Sequence, residues 1–234
     1  MRPWLLGGVF WASLALAQPA PRYGLPPQWG TPALAPSEPA RLMVLGRAVA
    51  GGTIGEPGGW ACHSCHGMGG EGGGSGAFPR ITGLSGWYLY KQLQDYASGQ
   101  REHAVMSPIA RSLDRPAMEA VAAWYAAQEG APPPRTRVDA RVLQTGGALN
   151  AAGAAERGVQ ACVNCHGAEG RGMGPSYPAL AGQYAAYTAL QLRLYRANTR
   201  GNSPLDIMHQ VAAPLTDADI AALAAYFETV RPAR

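Results

Sequence analysis

A short motif that occurs twice is the strongest constraint on how this chain folds. Cys-x-x-Cys-His stands at residues 62–66 and again at residues 162–166, and the two copies contain all 4 cysteines of the chain. Similarity between the two halves continues on both sides of the motifs, with small shifts in register. A repeat that persists through small insertions indicates duplication of one folded unit, so the sequence predicts two related domains.

The repeated positions outside the motifs carry residue types that two domains with the same backbone fold would have in common. They include glycines, prolines, aromatic residues and a methionine. Each copy is therefore expected to contain the same helices in the same order. Representative pairs are Arg41/Arg141, Gly46/Gly146, Gly67/Gly167, Pro79/Pro178, Tyr88/Tyr187, Gln92/Gln191, Met106/Met208 and Leu113/Leu215.

Proline-rich segments set the expected domain boundaries. Residues 18–37 contain many prolines and little that would form a core, so they are predicted to be an extended lead-in. Residues 131–134 end in consecutive prolines, which favour a stiff polyproline II linker. The first domain is then expected at residues 38–130 and the second at residues 135–234.

The N-terminal segment is typical of an export signal. Residues 1–17 begin with a positive charge at Arg2, continue as an apolar run and close in an Ala-x-Ala pattern. This predicts a secretory signal peptide that is cleaved near Ala17, and hence a periplasmic location. The apolar run is about 14 residues long, shorter than the roughly 20 that a membrane-spanning helix needs. Retention of this run as a membrane anchor stays an alternative.

Hydrophobic periodicity predicts an all-α fold without strands. Leucine, tyrosine and glutamine recur at three- and four-residue spacings in the middle of each copy, and Asp114 and Thr216 are suited to start the last helix. Gly46 and Gly146 are expected to permit close contact between helices. The predicted helices span residues 41–50, 84–99 and 116–128 in the first copy and 141–149, 183–199 and 217–230 in the second.

The repeated motif is the attachment sequence of c-type haem. Two thiols one helical turn apart each form a thioether to the haem, and the next histidine is held beneath the iron as its proximal ligand. A single zinc site or disulfide bonds are the alternatives, but neither requires a histidine directly after each second cysteine. The sequence thus predicts two covalently bound haem c groups. Their predicted attachment residues are Cys62, Cys65, Cys162 and Cys165, and their proximal iron ligands are His66 and His166.

A methionine in matching context is the expected sixth ligand of each iron. Met106 and Met208 follow the proximal histidines by 40 and 42 residues, just ahead of the last helix of each copy. A thioether sulfur opposite imidazole favours reduced iron and suits an electron carrier. His103 and His209 are rival ligands, but they do not align in the repeat. Among the other methionines, Met43 and Met118 are expected to pack within helices. Met173 has no counterpart in the first copy, and Met68 is too close in sequence to the histidine to reach the opposite side of a haem.

Several further residues are candidates for supporting roles around the haems. The carbonyl groups of Pro79 and Pro178 are expected to accept a hydrogen bond from Nδ1 of the proximal imidazole, although a simple turn role is the alternative. Haem propionates need cationic or hydroxyl partners. The candidates for that role are Arg80, Arg101, Arg200, Tyr88 and Tyr187.

These features together resemble the tandem di-haem class I cytochromes c of the cytochrome c4 type. The resemblance covers nearly all of residues 41–230, and rests on both haem motifs, on the segments at 78–83 and 177–183, and on both methionine segments. It implies two all-α class I cytochrome c domains with haem edges close together. It also implies a quinol:cytochrome c reductase or a dehydrogenase as electron donor, and a terminal oxidase as acceptor.

The function expected from the sequence is one-electron transfer in a respiratory chain rather than catalysis. A methionine on each iron leaves no open site for a peroxidase, and a thiolate-ligated catalytic haem would need a fifth cysteine. One alternative is the haem c electron-transfer subunit of a dehydrogenase complex. Another is a di-haem oxidoreductase, such as a thiosulfate dehydrogenase.

The net charge of +4 does not indicate a nucleic-acid partner. Removal of residues 1–17, which contain one charged residue, would lower it to +3, and the haem propionates would offset the remainder. The arginines are scattered along the chain rather than clustered. Redox proteins are therefore the expected partners, and peripheral contact with a membrane is left open.

Overall fold

The structure is a computed structural model that describes residues 37–53, 60–73, 75–134 and 136–231. Over these residues the chain is helical, and its β-type pairings are two isolated bridges in the second copy. The predicted signal peptide and nearly all of the proline-rich lead-in lie outside the described residues. The helices are α1 (Ser37–Ala50), α2 (His63–His66), α3 (Gly86–Ser98), α4 (Met106–Arg111), α5 (Arg115–Ala126), α6 (Ala140–Ala152), α7 (Val163–His166), α8 (Ala185–Arg196), α9 (Ile207–Ala212) and α10 (Asp217–Thr229).

The predicted long helices are all present, and the all-α fold class is confirmed. α1 and α6 begin the two copies, α3 and α8 are the middle helices, and α5 and α10 close the copies. α4 and α9 were not predicted as helices, because 6 residues are too few to carry a periodic pattern. Among the described helices, none is long and apolar enough to span a bilayer.

The first and last helices of each copy cross at a glycine. Gly46 on α1 lies against α5, and a Cβ at this position would come within 2.2 Å of the Ala120 carbonyl oxygen. Gly146 on α6 has the same relation to α10, where a Cβ would lie 2.2 Å from the Ala222 carbonyl oxygen. The close contact expected at both glycines is confirmed. Any larger residue would push the two helices apart, since the obstructing atoms belong to the backbone.

Each copy has an apolar core to which its haem motif contributes. The core cluster of the second copy is built mainly on α10, and both Cys162 and Met208 pack against it. The cluster of the first copy is built on α1 and α5, and Cys62 packs against it. Three of the residues expected to hold the haems, Cys62, Cys162 and Met208, thus contact the apolar interior.

Side-chain caps start the last helix of each copy, as predicted. The Asp114 carboxylate accepts a hydrogen bond from the Ala117 amide at 2.9 Å, which caps α5. Thr216 and Asp219 form a capping box at the start of α10, in which each side chain accepts from the backbone amide of the other residue. The Asp219 carboxylate has a further partner in Arg157, whose two terminal nitrogens donate to it at 2.6 and 3.1 Å.

Replacing Asp219 with asparagine is expected to destabilise the second copy at neutral pH. The hydrogen bond from Arg157 is the main cause that lowers the Asp219 pKa to about 2, against the opposing effect of burial. Because the folded-state pKa lies below the unfolded value, this stabilisation is complete above about pH 4 and is lost as the pH falls toward 2. The expected loss is about 1 kcal/mol at pH 7, since solvent screens the partly exposed guanidinium group.

Denaturant unfolding of the wild type and Asp219→Asn between pH 2 and pH 7 would measure this loss. The difference in free energy of unfolding should shrink at the acidic end. Asp114→Asn is the matched control, because asparagine caps a helix about as well as aspartate does. Equal losses for the two substitutions, or a loss for Asp219→Asn that persists at pH 2, would contradict the expectation.

Candidate haem sites

Each Cys-x-x-Cys-His motif forms a single helical turn. In the first copy Cys62 is the N-cap residue of α2, and the His66 amide donates to the Cys62 carbonyl oxygen at 2.9 Å. In the second copy α7 repeats this arrangement, with a 2.9 Å bond from the His166 amide to the Cys162 carbonyl oxygen. Residues three apart on a helical turn share one side of it, so both thiols of a motif can reach the same haem.

Glycine ends both turns in the left-handed region of backbone space. Gly67 has a φ of 81° and Gly167 a φ of 73°, values that residues with side chains rarely adopt. The chain then folds back, and the amides of Gly72 and Gly172 donate to the carbonyl oxygens of the two motif histidines at 2.7 Å. The loop after each motif is thereby held against the turn that carries the histidine.

Proline carbonyl groups orient the imidazole rings of both motif histidines. Nδ1 of His66 lies 2.9 Å from the Pro79 carbonyl oxygen, and Nδ1 of His166 lies 2.8 Å from that of Pro178. The acceptor role expected for both prolines is confirmed. With a carbonyl as partner, Nδ1 carries the proton, which leaves Nε2 available as a metal ligand. Burial lowers the pKa of both histidines, against the opposing effect of this hydrogen bond, so the rings are neutral at pH 7.

Met106 and Met208 occupy equivalent places in two short helices. Met106 is the first residue of α4, Met208 is the second residue of α9, and both side chains are half-buried. The rival methionines lie in other surroundings. Met68 and Met173 are 65% and 46% exposed on the loops after the motifs, and Met118 is buried within α5. The burial of Met118 agrees with the packing role expected for it.

The two rival histidines have separate contacts with the backbone. Nδ1 of His103 accepts hydrogen bonds from the amides of Val105 and Met106 at 3.2 Å each, so this ring caps the start of α4. Nδ1 of His209 lies 2.8 Å from the Tyr195 carbonyl oxygen. The two rings thus have different structural roles, which agrees with their lack of alignment in the repeat.

The described residues favour neither zinc nor disulfide bonds at the cysteines. No disulfide bond joins any two of the four cysteines. In the part of the chain that the structure describes, no group of three or more histidine, cysteine or acidic side chains is placed to bind a metal ion. Burial raises the pKa of Cys62, and it raises that of Cys162 to about 11.

A network of buried and half-buried polar side chains joins the two copies. Arg101 of the first copy donates to the Tyr187 hydroxyl at 2.9 Å and to the Gln191 side-chain oxygen at 3.0 Å. Arg200 of the second copy makes the reciprocal contacts, to the Tyr88 hydroxyl and the Gln92 side-chain oxygen, at 3.3 Å each. This set is termed the junction network. Its members are Tyr88, Gln92, Arg101, Tyr187, Gln191 and Arg200.

The junction network follows the internal repeat of the chain. Each arginine also donates to the glutamine of its own copy, at 2.7 Å for Arg101 and 2.5 Å for Arg200. Arg101 stacks over the Tyr96 ring at 4.6 Å, and Arg200 stacks over the Tyr195 ring at 4.5 Å. Four of the five residues expected to serve the propionates therefore meet at one place between the copies.

The junction network holds buried positive charge without a matching anion. Arg101 and Arg200 are only 7% and 6% exposed, and neither has a carboxylate partner among the described residues. Asp95 borders the network, but Lys91 and the Asn202 side-chain amide already bind it. Buried guanidinium groups are costly unless they are paired. Haem propionates are anions that would pair with them, so the residues present fit a haem on each side of the junction.

Arg80 differs from the other propionate candidates in its surroundings. Its guanidinium donates to the carbonyl oxygens of Thr82 at 2.8 Å and Gly130 at 3.0 Å. The buried Nε atom has no hydrogen-bond partner among the described residues. Arg80 thus braces the loop that follows Pro79, whereas the other four candidates form the junction network.

Sequence reasoning missed two residues that link the copies. The Gln183 side chain exchanges two hydrogen bonds with the backbone of Arg80, at 3.0 and 2.8 Å. The Asn202 side chain donates to Gln92 at 3.0 Å in the first copy. Gln183 aligns with Leu84 in the repeat, so comparison of the two copies gave no signal for it.

The sequence is similar to known c-type cytochromes. The Cytochrome c family model matches residues 151–231. The thiosulfate dehydrogenase electron acceptor of Stutzerimonas stutzeri (strain A1501) is 40% identical over 177 residues, which cover 74% of this chain and 81% of that protein. This similarity therefore extends over both copies of the repeat.

Two solved structures share the fold over most of this chain. Reduced recombinant cytochrome c4 from Pseudomonas stutzeri matches with a TM-score of 0.71 and 30% identity, over 81% of this chain and 98% of that chain. A thiosulfate dehydrogenase from Marichromatium purpuratum, TsdBA in its as-isolated form, matches with a TM-score of 0.73 and 38% identity over 81% of this chain. The match spans 40% of the TsdBA chain.

The helical fold and the two motifs define a c-type cytochrome. The chain belongs to the cytochrome c family, as a tandem di-haem class I cytochrome c of the cytochrome c4 type. This family indicates covalently bound haem c, and two haems fit the two motifs. The chain is therefore a di-haem electron carrier with redox partners, and not a catalytic enzyme.

Proposed function

We propose that this chain is a periplasmic one-electron carrier that accepts electrons from a thiosulfate dehydrogenase and passes them toward a terminal oxidase. The observation that supports the donor most is 40% identity to a thiosulfate dehydrogenase electron acceptor, over 81% of that protein. The similarity to part of the TsdBA chain adds support, because that protein is itself a thiosulfate dehydrogenase. The export signal expected in residues 1–17 supports the compartment.

The first copy is proposed to bind its haem through four side chains. Cys62 and Cys65 would form the two thioethers, and Nε2 of His66 would bind the iron from the proximal side. The sulfur of Met106 would bind the same iron, and it would thereby keep water and small molecules off the metal. Pro79 would keep the imidazole in the tautomer that binds metal, through the 2.9 Å contact at Nδ1.

The second copy is proposed to bind its haem in the same way. Cys162 and Cys165 would form the thioethers, and Nε2 of His166 and the sulfur of Met208 would bind the iron. Pro178 would orient the imidazole through the 2.8 Å contact at Nδ1. When bound, the haem would supply one-electron oxidation and reduction, and these residues would hold it without changing a bond of any substrate.

The junction network is proposed to connect the two redox sites. Arg101 and Arg200 each donate hydrogen bonds to side chains of the other copy. Arg101 and Arg200 would pair with haem propionates placed here, and this pairing would offset the buried positive charge of both guanidinium groups. Electrons would then exchange between the haems inside the protein, and a donor and an acceptor could dock at separate places.

Reduction by a thiosulfate dehydrogenase is the direct test of the proposed donor. Oxidised holoprotein is mixed with thiosulfate and a catalytic amount of the enzyme, and the visible bands of reduced haem are followed. Both haems are expected to be reduced at a rate proportional to enzyme concentration, and thiosulfate alone should give no reduction. Failure of the enzyme to reduce haems that dithionite does reduce would contradict the proposed donor. Turnover of thiosulfate by this chain alone would instead favour a di-haem oxidoreductase.

A permanent electron-transfer subunit is the second candidate. It is favoured by one observation, which is that this fold makes up 40% of the chain of the M. purpuratum thiosulfate dehydrogenase. Isolation of the native protein under mild conditions separates the two candidates. A free carrier is expected to run alone, whereas a subunit would co-purify with a dehydrogenase in a fixed ratio.

A further inference from the structure

We propose that Gln183, which lies in the second copy, is a positioning residue for the proximal ligand of the haem in the first copy. The proposal rests on the assignment of His66 as that ligand. A chain of hydrogen bonds leads from one residue to the other. Nδ1 of His66 donates to the Pro79 carbonyl oxygen at 2.9 Å, and the Arg80 amide donates to Oε1 of Gln183 at 3.0 Å.

These two hydrogen bonds lie at opposite ends of one peptide group. The Pro79 carbonyl and the Arg80 amide share a peptide bond, and a donor bond at one end polarises the acceptor at the other. Gln183 therefore makes the Pro79 carbonyl a stronger acceptor for the Nδ1 proton of His66. A stronger bond at Nδ1 raises the basicity of the imidazole, which stabilises ferric iron and lowers the reduction potential.

The Gln183 side chain is fixed in the position that this role needs. It is only 9% exposed, so water does not compete for its hydrogen bonds. Its Nε2 donates to the Arg80 carbonyl oxygen at 2.8 Å, and its Oε1 also accepts from the Tyr184 amide at 3.1 Å. The Arg80 guanidinium anchors the same loop to its own copy through Thr82 and Gly130. The peptide group between Pro79 and Arg80 is thus held by hydrogen bonds to side chains of both copies.

The second haem site has no equivalent of this chain of hydrogen bonds. Ala179 takes the place of Arg80, and Leu84 takes the place of Gln183. Within the described residues the Ala179 amide makes no hydrogen bond. Leu84 and Ala179 instead line one open groove between the copies. Gln183 of the second copy therefore lowers the reduction potential of the first haem, whereas Leu84 of the first copy has no such influence on the second haem. The two haem sites, which are otherwise similar, thus differ in reduction potential.

Gln183→Leu is the test, because it installs the residue that the first copy has at the equivalent position. Spectroelectrochemical titration of the holoprotein is expected to show a higher potential for the first haem and an unchanged potential for the second. The equilibrium constant for electron exchange between the haems should change about threefold to tenfold, where tenfold corresponds to about 59 mV for one electron. In the same titration, Met106→Ala identifies which reduction wave belongs to the first haem, because Met106 is a proposed ligand of that haem only.

Two further variants keep the outcome interpretable. Leu84→Gln is the matched control at the equivalent place in the junction, and it should leave the potential of the first haem unchanged. Gln183→Glu keeps an oxygen acceptor for the Arg80 amide, so the first haem should stay at or below its wild-type potential. An unchanged first haem in Gln183→Leu, or equal shifts of both haems, would overturn the proposal. If every variant shows two reversible reduction waves, both haems are bound. A negative result then counts against the role of Gln183 and not against the assignment of the two haem sites.

Discussion

Serine in place of both Cys162 and Cys165 is expected to leave the second copy without haem and without a stable fold. Cys162 packs against the apolar cluster of that copy, and Met208 contacts the same cluster. A domain of this size buries little apolar surface by itself, so the haem would complete its core. A cofactor held only by the native state adds its binding free energy to stability, which places the expected loss at several kcal/mol.

Mass spectrometry and calorimetry would measure these effects on the purified protein. The mass should fall by one haem, the haem absorbance should fall by about half, and the unfolding transition of the second copy should disappear. The reciprocal variant with Cys62→Ser and Cys65→Ser is the matched control, and it should remove the other haem and the other transition. A haem-free copy that kept a cooperative, native-like unfolding transition would contradict the expectation.

Alanine in place of Met106 or Met208 is expected to change one haem and spare the other. Each variant should lose the sulfur-to-iron charge-transfer band of its own haem, because the thioether is replaced by a methyl group that cannot bind iron. Loss of the thioether also removes a ligand that favours ferrous iron. The potential of that haem should fall by about 0.1 V or more, within the roughly 0.8 V range that axial ligands cover. Visible spectra and redox titration report both changes.

Exposed methionines supply the control for these substitutions. Met68 and Met173 lie on the loops after the two motifs and are 65% and 46% exposed. Met68→Ala and Met173→Ala should retain both charge-transfer bands and both potentials. Loss of a band in either control, or its survival in Met106→Ala or Met208→Ala, would show that the axial ligands are assigned wrongly.

The chemistry of the haem sites could be predicted because it depends on short spacings. Two thioethers and a histidine require residues within one helical turn, and such a turn leaves a fixed pattern in any sequence. The Nδ1 acceptors Pro79 and Pro178 could be predicted because the repeat shows the same proline at the same distance from each motif. The repeat also selected Met106 and Met208 over the neighbouring histidines, and this selection stays a prediction until the ligands are tested.

The long helices could be predicted for a related reason. Apolar residues recur over many turns in α3, α5, α8 and α10, and capping residues mark where α5 and α10 begin. α4 and α9 are shorter than two turns and leave no periodic signal. These two helices form because the surrounding structure holds them, and His103 caps one of them through a side chain that sequence reasoning had considered only as an iron ligand.

The sequence by itself determined the fold class and the duplication, and it predicted covalent haem together with the residues that would hold it. Only the tertiary structure decided that Arg101 and Arg200 exchange hydrogen bonds between the copies, and that Gln183 binds the backbone of Arg80. The physical reason is separation along the chain. Arg80 and Gln183 are 103 residues apart, and no local spacing rule relates such residues until the packing of the two copies brings them together.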